Sequence, residues 1–234
     1  AVLGEISSSL VHEMRNPLGI IIQGVSYLEQ TLPPEAKDSH ETLGMVKESA
    51  QRADRIVISL LDFSRAAKLE LHPEHIGSIL ESSLSLVKTE LKNIEVIREV
   101  QEGLPEILVD KNKLTQVFIN LFMNAIHAMP GGGKLIIRSF VKQMEEPAEG
   151  ANEQAVVVEV EDSGAGISEE NLKRIFDPFF TTKTQGKGTG LGLSVSRNII
   201  LMHKGLIEVK SQVNKGTRII IVLRVPIGEE RGNG

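Results

Sequence analysis

The chain has 234 residues, a formal net charge of -5, no cysteine and no tryptophan, with 41% apolar and 24% charged side chains. That mix belongs to a globular protein able to bury a core, in one large domain or two small ones. It excludes disulfide scaffolds, cysteine–zinc sites and thiol nucleophiles, and the charge has the wrong sign for wrapping nucleic acid. Two biases stand out. Four glycines precede residue 76 and seventeen follow it, and three of the seven phenylalanines fall between Phe176 and Phe180.

Residues 1–70 read as two long helices. Val11, Met14, Leu18, Ile21, Val25 and Leu28 repeat at spacings of three and four, as do Leu43, Val46, Ala50, Ala53, Val57 and Leu60. Each series is a heptad seam. Thr31-Leu32-Pro33-Pro34 separates them, because consecutive prolines cannot continue a helix. One such hairpin has too little core to stand alone, so two copies are expected to pair as a four-helix bundle. On periodicity alone, a plain coiled-coil spacer is the favoured reading. The expected divisions are a hairpin at 1–68, a linker at 69–75 and an α/β sandwich at 76–234.

Within the sandwich, a helix is expected over 76–90 and an extended stretch at Ile94–Val100. Asp110 reads as the N-cap of a helix running to Met129, stopped by Pro130 and Gly131–Gly133. Strands are expected at 134–143, 155–161, 206–211 and 217–225, with a polar hairpin loop at 145–154 and a helix at 189–202. The tail 228–234 is expected to fray. No apolar run approaches the ~20 residues of a membrane-spanning helix. The N-terminus lacks a signal-peptide pattern and a Met, so the chain reads as an excised fragment with any sensor or anchor upstream.

Four clusters could carry chemistry. His12-Glu13-Met14-Arg15-Asn16-Pro17 places an imidazole one step off the seam, beside a carboxylate that can fix its tautomer and raise its basicity. Asn16 lies one turn on, and Pro17 removes the N–H that would bond the Glu13 carbonyl. A solvated surface histidine is the commoner reading of any lone His, and His40, His72, His75, His127 and His203 mostly fall under it. Asn120, Asn124 and His127 share one face of the central helix, where amide oxygens suit a hard cation such as Mg²⁺. Helix-surface amides are the plain alternative. Asp162-Ser163-Gly164-Ala165-Gly166 ends a strand, where a carboxylate can accept from the exocyclic amine of adenine and glycines admit a close backbone approach to the base. Read alone, this pattern is common in turns. Gly186-Lys187-Gly188-Thr189-Gly190-Leu191-Gly192-Leu193 precedes a helix whose N–H groups can cradle phosphate. It is neither a P-loop nor a dinucleotide fingerprint, and the protein-kinase motif set is missing. A flexible glycine linker is its plain alternative.

In order, these clusters resemble the catalytic core of a two-component sensor histidine kinase over essentially the whole chain. Ser9 to Leu18 resembles the family's phosphoacceptor H box and Asn120 to Asn124 its N box. Asp162-x-Gly164-x-Gly166 and Gly188 to Leu193 resemble its glycine boxes, and Phe176 to Lys183 its F box. The wording of the motifs is most similar to the nitrogen-regulation type. The resemblance implies a helical hairpin that dimerises and carries the phosphohistidine, followed by an ATP-binding domain shared with gyrase, Hsp90 and MutL. It implies that His12 takes the γ-phosphate of ATP, that Glu13 orients or deprotonates it, and that Asn16 positions a water for dephosphorylating a response regulator. Asp162 would read adenine, with Thr217 in the same water network. Asn124 with Asn120 would hold Mg²⁺, and His127 would lie near phosphate. Lys183 and Lys187 would contact the γ-phosphate, with Gly188, Thr189, Gly190, Leu191 and Gly192 around it. The implied partners are a second copy and a receiver domain, with no nucleic acid, and a membrane only through an upstream segment. The implied location is the cytoplasm. Two rivals remain, an ATP-driven clamp or serine kinase of the same superfamily, and a silent dimerisation module.

Overall fold

The computed structural model describes residues 8–64, 69–144, 154–183 and 189–226, and of these the backbone alone at 8–13, 52, 55, 56 and 58–64. The chain divides into two compact units, residues 1–67 with 177–195, and residues 68–176 with 196–234. Residues 145–153 of the expected polar loop at 145–154, and the expected tail at 228–234, lie outside the described residues, while Gln154 begins a strand.

In the first unit, α1 (Ser8–Thr31) and α2 (Lys37–Ser64) pack on each other as an antiparallel pair. Thr31 ends α1 by returning its hydroxyl to the Tyr27 carbonyl, and Pro33 and Pro34 form the turn. Val25, Ala50 and Val57 are buried, as seam residues should be. Ion pairs Arg15–Asp54 and Lys47–Glu29 join the two helices. Other seam residues stay open in the single chain: Met14, Ile21, Leu28 and Val46 are each more than 40% exposed.

The second unit opens with β1 (His72–Glu74), followed by α3 (Ile76–Leu86), β2 (Ile94–Val100), β3 (Ile107–Val109) and α4 (Lys111–Ala128). β1 pairs antiparallel with β3. Part of the segment expected to be linker is therefore a strand. After these come β4 (Gly133–Gln143), β5 (Gln154–Asp162), the short α5 (Glu169–Leu172), α6 (Gly192–Met202), β6 (Leu206–Gln212) and β7 (Gly216–Arg224). The main sheet has the order β2-β4-β5-β7-β6, with β2 and β4 parallel and the other pairs antiparallel. α6 starts at Gly192, three residues later than its sequence pattern suggests. Gly190 has a φ of +68°, which no helix accommodates, and the Thr189 hydroxyl accepts from the Leu191 N–H just ahead of the first turn.

Register explains the core. Leu135 and Ile137 of β4, Val156, Val158 and Val160 of β5, and Ile219, Ile221 and Leu223 of β7 alternate onto one buried face. α3 and α4 pack on each other, and α4 lies against β5 and β7, burying Leu114, Val117, Phe118, Leu121 and Phe122. The opposite face carries Arg138 and Arg218, which share Glu161 at 2.6 and 2.8 Å, and Arg138 also meets Glu99. Burial alone would raise the Glu161 carboxyl, but the two guanidiniums hold it below its ordinary value.

Candidate functional site

Three neighbouring strands of the main sheet end their inward register in polar residues. Asp162 of β5 is the cross-strand partner of Thr217 on β7, and Thr217 is the partner of Ser211 on β6. Below them the same register holds valine and isoleucine. Asp162 is buried, and its Oδ1 accepts the Gly164 N–H at 2.8 Å. Burial pushes the Asp162 carboxyl above its ordinary value, opposed by the N–H groups of Gly164 and Thr217 and assisted by the charge of Glu161. A buried carboxylate that already accepts from two amides at a strand end is suited to accept further from a ligand amine.

The loop after Asp162 explains its glycines differently from the expectation. A side chain on Gly164 would lie 2.6 Å from the Ala128 carbonyl oxygen, and one on Gly166 would lie 2.0 Å from that of Gln212. The Ala165 N–H donates to the Ala128 carbonyl, and the Asn214 N–H donates to the Ala165 carbonyl at 2.7 Å. The loop is wedged between the end of α4 and the β6–β7 turn. The close approach that these two glycines permit is to protein backbone.

On α4, Asn120, Asn124 and His127 keep the one-face spacing expected of them. The Asn120 amide N–H donates to the Ser196 hydroxyl of α6 at 2.9 Å. That bond turns the amide oxygen away from Ser196, leaving a hard donor of the kind Mg²⁺ prefers. Among the described residues no cluster of three or more His, Asp or Glu could hold a metal.

The segment 177–195 is clasped at its neck. Asp177 to Phe180 form a turn in which the Phe180 N–H donates to the Asp177 carbonyl, Pro178 leads, and Phe179 takes a φ of +68°. A side chain on Gly190 would lie 2.3 Å from the Phe179 carbonyl carbon. Gly190 is thus required by the backbone of the Asp177–Phe180 turn. Leu191 is buried, and its carbonyl accepts from the Ser194 hydroxyl. Phe176 lies under the Arg197 guanidinium at 5.2 Å, whereas Phe179 is half exposed. The Lys183 ammonium is pushed below its ordinary value by burial. Gly186, Lys187 and Gly188 lie outside the described residues.

His12 and Glu13 lie in α1, five and four residues before Pro17, and Asn16 is exposed. His203 departs from the surface reading. Its Nδ1 donates to the Ile199 carbonyl and its Nε2 accepts from the Asp110 N–H at 2.9 Å, so the ring is neutral. Burial lowers its pKa, opposed by the Ile199 carbonyl and by Asp110. Asp110 caps α4 through the Lys113 N–H, as its position ahead of the helix implied, and also accepts from the Glu70 N–H. Ser196 and Ser211 were not singled out from the sequence. Ser211 was within reach, since it takes an inward place after Ile207 and Val209 in an alternating strand.

Residues 109–227 match the family described as histidine kinase-, DNA gyrase B- and HSP90-like ATPases, and residues 2–68 match the His Kinase A (phospho-acceptor) domain. The sensor histidine kinase ZraS of Salmonella typhi is 36% identical over 95% of this chain and 46% of its own length. Sporulation kinase E of Bacillus subtilis is 31% identical over 99% of this chain and 30% of its own length. The chain spans less than half the length of these curated relatives. Among solved structures, full-length ShkA in complex with AMPPNP is similar with a TM-score of 0.73 and 26% identity over 92% of this chain and 44% of that one. Histidine kinase ThkA in complex with the response regulator protein TrrA is similar with a TM-score of 0.67 and 28% identity over 99% of this chain and 64% of that one.

Proposed function

The chain belongs to the histidine kinases, and from that premise we propose that it moves the γ-phosphoryl group of ATP to His12 and on to an aspartate of a response regulator. The bond between Pγ and the bridging oxygen breaks, an N–P bond forms on the imidazole, and ADP leaves. The observation that carries this reading is the pairing, in one chain, of the His12 motif on α1 with the buried Asp162 carboxylate at the strand end.

The roles follow from chemistry. Glu13 holds or takes the proton on the imidazole's other nitrogen, which makes the attacking nitrogen a better nucleophile. Asp162 accepts from the adenine amine, and Thr217 completes that end of the site. Mg²⁺, when bound, would neutralise charge on the transferring phosphoryl group, and Asn124 with Asn120 would hold it. His127 faces phosphate. Lys183 and Lys187 contact the γ-phosphate, whose charge would restore a Lys183 ammonium weakened by burial. Gly188, Thr189, Gly190, Leu191 and Gly192 surround the phosphates ahead of α6. Asn16 positions a water for the reverse duty, dephosphorylating the regulator.

The half-open seam of α1 and α2 supports a homodimeric four-helix bundle. The AMPPNP and response-regulator complexes of the similar structures support ATP and a receiver-domain partner. No helix among the described residues is long and apolar enough to cross a membrane, and the matches to the phospho-acceptor and ATPase families support action in the cytoplasm. The nitrogen-regulation type is carried by motif wording alone.

Incubation with γ-labelled ATP and Mg²⁺ tests the reading. An acid-labile, alkali-stable label is expected, absent in His12→Gln. A label that persists in that variant would remove His12 from the role, and an unlabelled wild type that still binds ATP would favour the clamp reading.

A further inference from the structure

We propose that Ser211 sets nucleobase specificity by fixing which way the Thr217 hydroxyl proton points. This rests on the reading of Asp162 and Thr217 as the base-facing end of the nucleotide site. The argument is a count of protons. A serine hydroxyl has one proton to give and two lone pairs with which to accept. The Ser211 oxygen has three partners: the Ile167 N–H at 2.8 Å, the Gly216 carbonyl at 2.9 Å and the Thr217 hydroxyl at 2.9 Å. An N–H can only donate, so Ile167 takes one lone pair. A carbonyl can only accept, so Gly216 takes the proton. The second lone pair is all that remains for Thr217, whose hydroxyl must therefore donate to Ser211.

The consequence reaches the site. With its proton committed inward, Thr217 offers the ligand only acceptor capacity. Its cross-strand neighbour Asp162 is a carboxylate and likewise only accepts. Side by side they form a wall without a donor. In direct contact, such a wall takes a base with an amine at position 6 and leaves an acceptor there without a partner. Discrimination of this kind grows because the rejected ligand would strand a buried polar group. Ser211 does not touch the base; it is a positioning residue acting through Thr217. The arrangement is held from three sides, since Ser211 joins the loop after Asp162, the start of β7 and its own strand.

The test compares ADP with its 6-methoxypurine analogue, which keeps the unprotonated N1 of adenine and replaces the amine donor at position 6 by an acceptor-only ether, by titration calorimetry on the whole chain. The wild type is expected to prefer ADP. Ser211→Ala frees the Thr217 proton to turn outward, and the preference is expected to narrow by roughly three- to tenfold, the worth of one hydrogen bond. Ser211→Thr keeps the hydroxyl and is expected to keep the wild-type ratio. A Ser211→Ala protein that weakens both nucleotides equally, or neither, overturns the proposal, because a merely structural role would not move the ratio. Thermal melts confirm that each variant is folded, and Ser211→Thr carries the test if the alanine variant is not: a changed ratio there overturns it. Loss of preference in Asp162→Asn with an unchanged ratio in Ser211→Ala sinks the Ser211 role alone. A wild type without preference for ADP sinks the adenine reading together with it.

Discussion

The helical hairpin and the sheet unit hide their apolar residues to different degrees. In the sheet unit, Leu114, Val117, Phe118, Leu121, Phe122, Leu135 and Ile137 are all at or below 1% exposure. In the hairpin, Val25, Ala50 and Val57 are buried while Met14, Ile21, Leu28 and Val46 remain over 40% open. Both sequences are periodic, but they specify different things. The alternation of the strands and the apolar stripe of α4 close a core within one chain. The heptad seam of α1 and α2 is wider than one hairpin can cover, and leaves open the surface that the proposed second copy would cover. Damage to one region should therefore show as lost folding, and damage to the other as lost association.

The largest effect is expected at Gly216. Its φ is +101°, and a side chain there would lie 1.8 Å from the Asp162 carbonyl oxygen. Gly216→Ala has no room to relax, because the atoms it would meet are the backbone of Asp162, at the end of the paired strand β5, and of Ser163 just beyond it. A loss of about 3 kcal/mol or more is expected for the sheet unit. Thermal denaturation should show its transition collapse while dimerisation survives. An unchanged melting temperature would mean that the two strands can part more easily than their register suggests.

The complementary break is Leu28→Glu, on the open seam. Two copies of the charge would face each other or the partner's apolar side chains. A rise of about 100-fold or more in the dimer dissociation constant is expected, with ADP binding unchanged. Analytical ultracentrifugation reads the first and calorimetry the second. A Leu28→Glu protein that stays dimeric would show that the exposed seam is not the interface.

The same contrast marks what was legible in the sequence. Elements with a period were readable: both long helices, α4 with its Asp110 cap, and the strands from β4 to β7. β1 and β3 were not, since three residues such as His72-Pro73-Glu74 carry no period, and their pairing joins residues more than thirty positions apart. The glycines of the loop after Asp162 were found as a motif, but their purpose was not. Whether Gly166 faces a ligand or the Gln212 carbonyl depends on which turn the fold brings beside it. His203 was missed for a similar reason. Nothing near it in sequence shows that its ring will meet the Asp110 N–H, ninety-three residues away. Contacts between distant elements have no local pattern to read.

Next in size is Asp162→Asn. It replaces an acceptor-only group by one that also donates, at a place where the Gly164 and Thr217 N–H groups already point in. ADP affinity is expected to fall by about 10- to 100-fold, the worth of a charged hydrogen bond, with the hairpin dimer untouched. Equal affinity in the variant would take Asp162 out of the site.

A smaller effect separates the two regions by pH. His203 belongs to the sheet unit and is held neutral, its pKa lowered by burial from an ordinary 6.5. The unfolded chain therefore binds the proton more readily, and stability from this group is complete above about pH 6.5 and lost as pH falls below it. Protonation would also turn Nε2 into a donor facing the Asp110 N–H. The melting temperature of the sheet unit should fall on acidification from pH 7.5 to 5.5, and less steeply in His203→Gln. Parallel curves for the two proteins would assign the acid sensitivity to other groups.

The smallest expected effect is a gain. Ser139 sits in β4 on the buried face, 1% exposed, between Ile137 and Val141 in the inward register, and its hydroxyl has no hydrogen-bond partner. Asp162, Thr217 and Ser211 also occupy inward places, but they lie together at the end of their strands and bond one another or the adjoining loop. Ser139 lies mid-strand among apolar neighbours and carries the cost of a stranded polar group without a ligand-facing role. Ser139→Ala removes that cost and leaves little space behind. A gain of about 1 kcal/mol is expected, raising the melting temperature of the sheet unit by about 2–4 °C with no change in ADP affinity. A loss of stability instead would show that the hydroxyl is satisfied by a buried water, and that the core of the sheet unit is less dry than its apolar register implies.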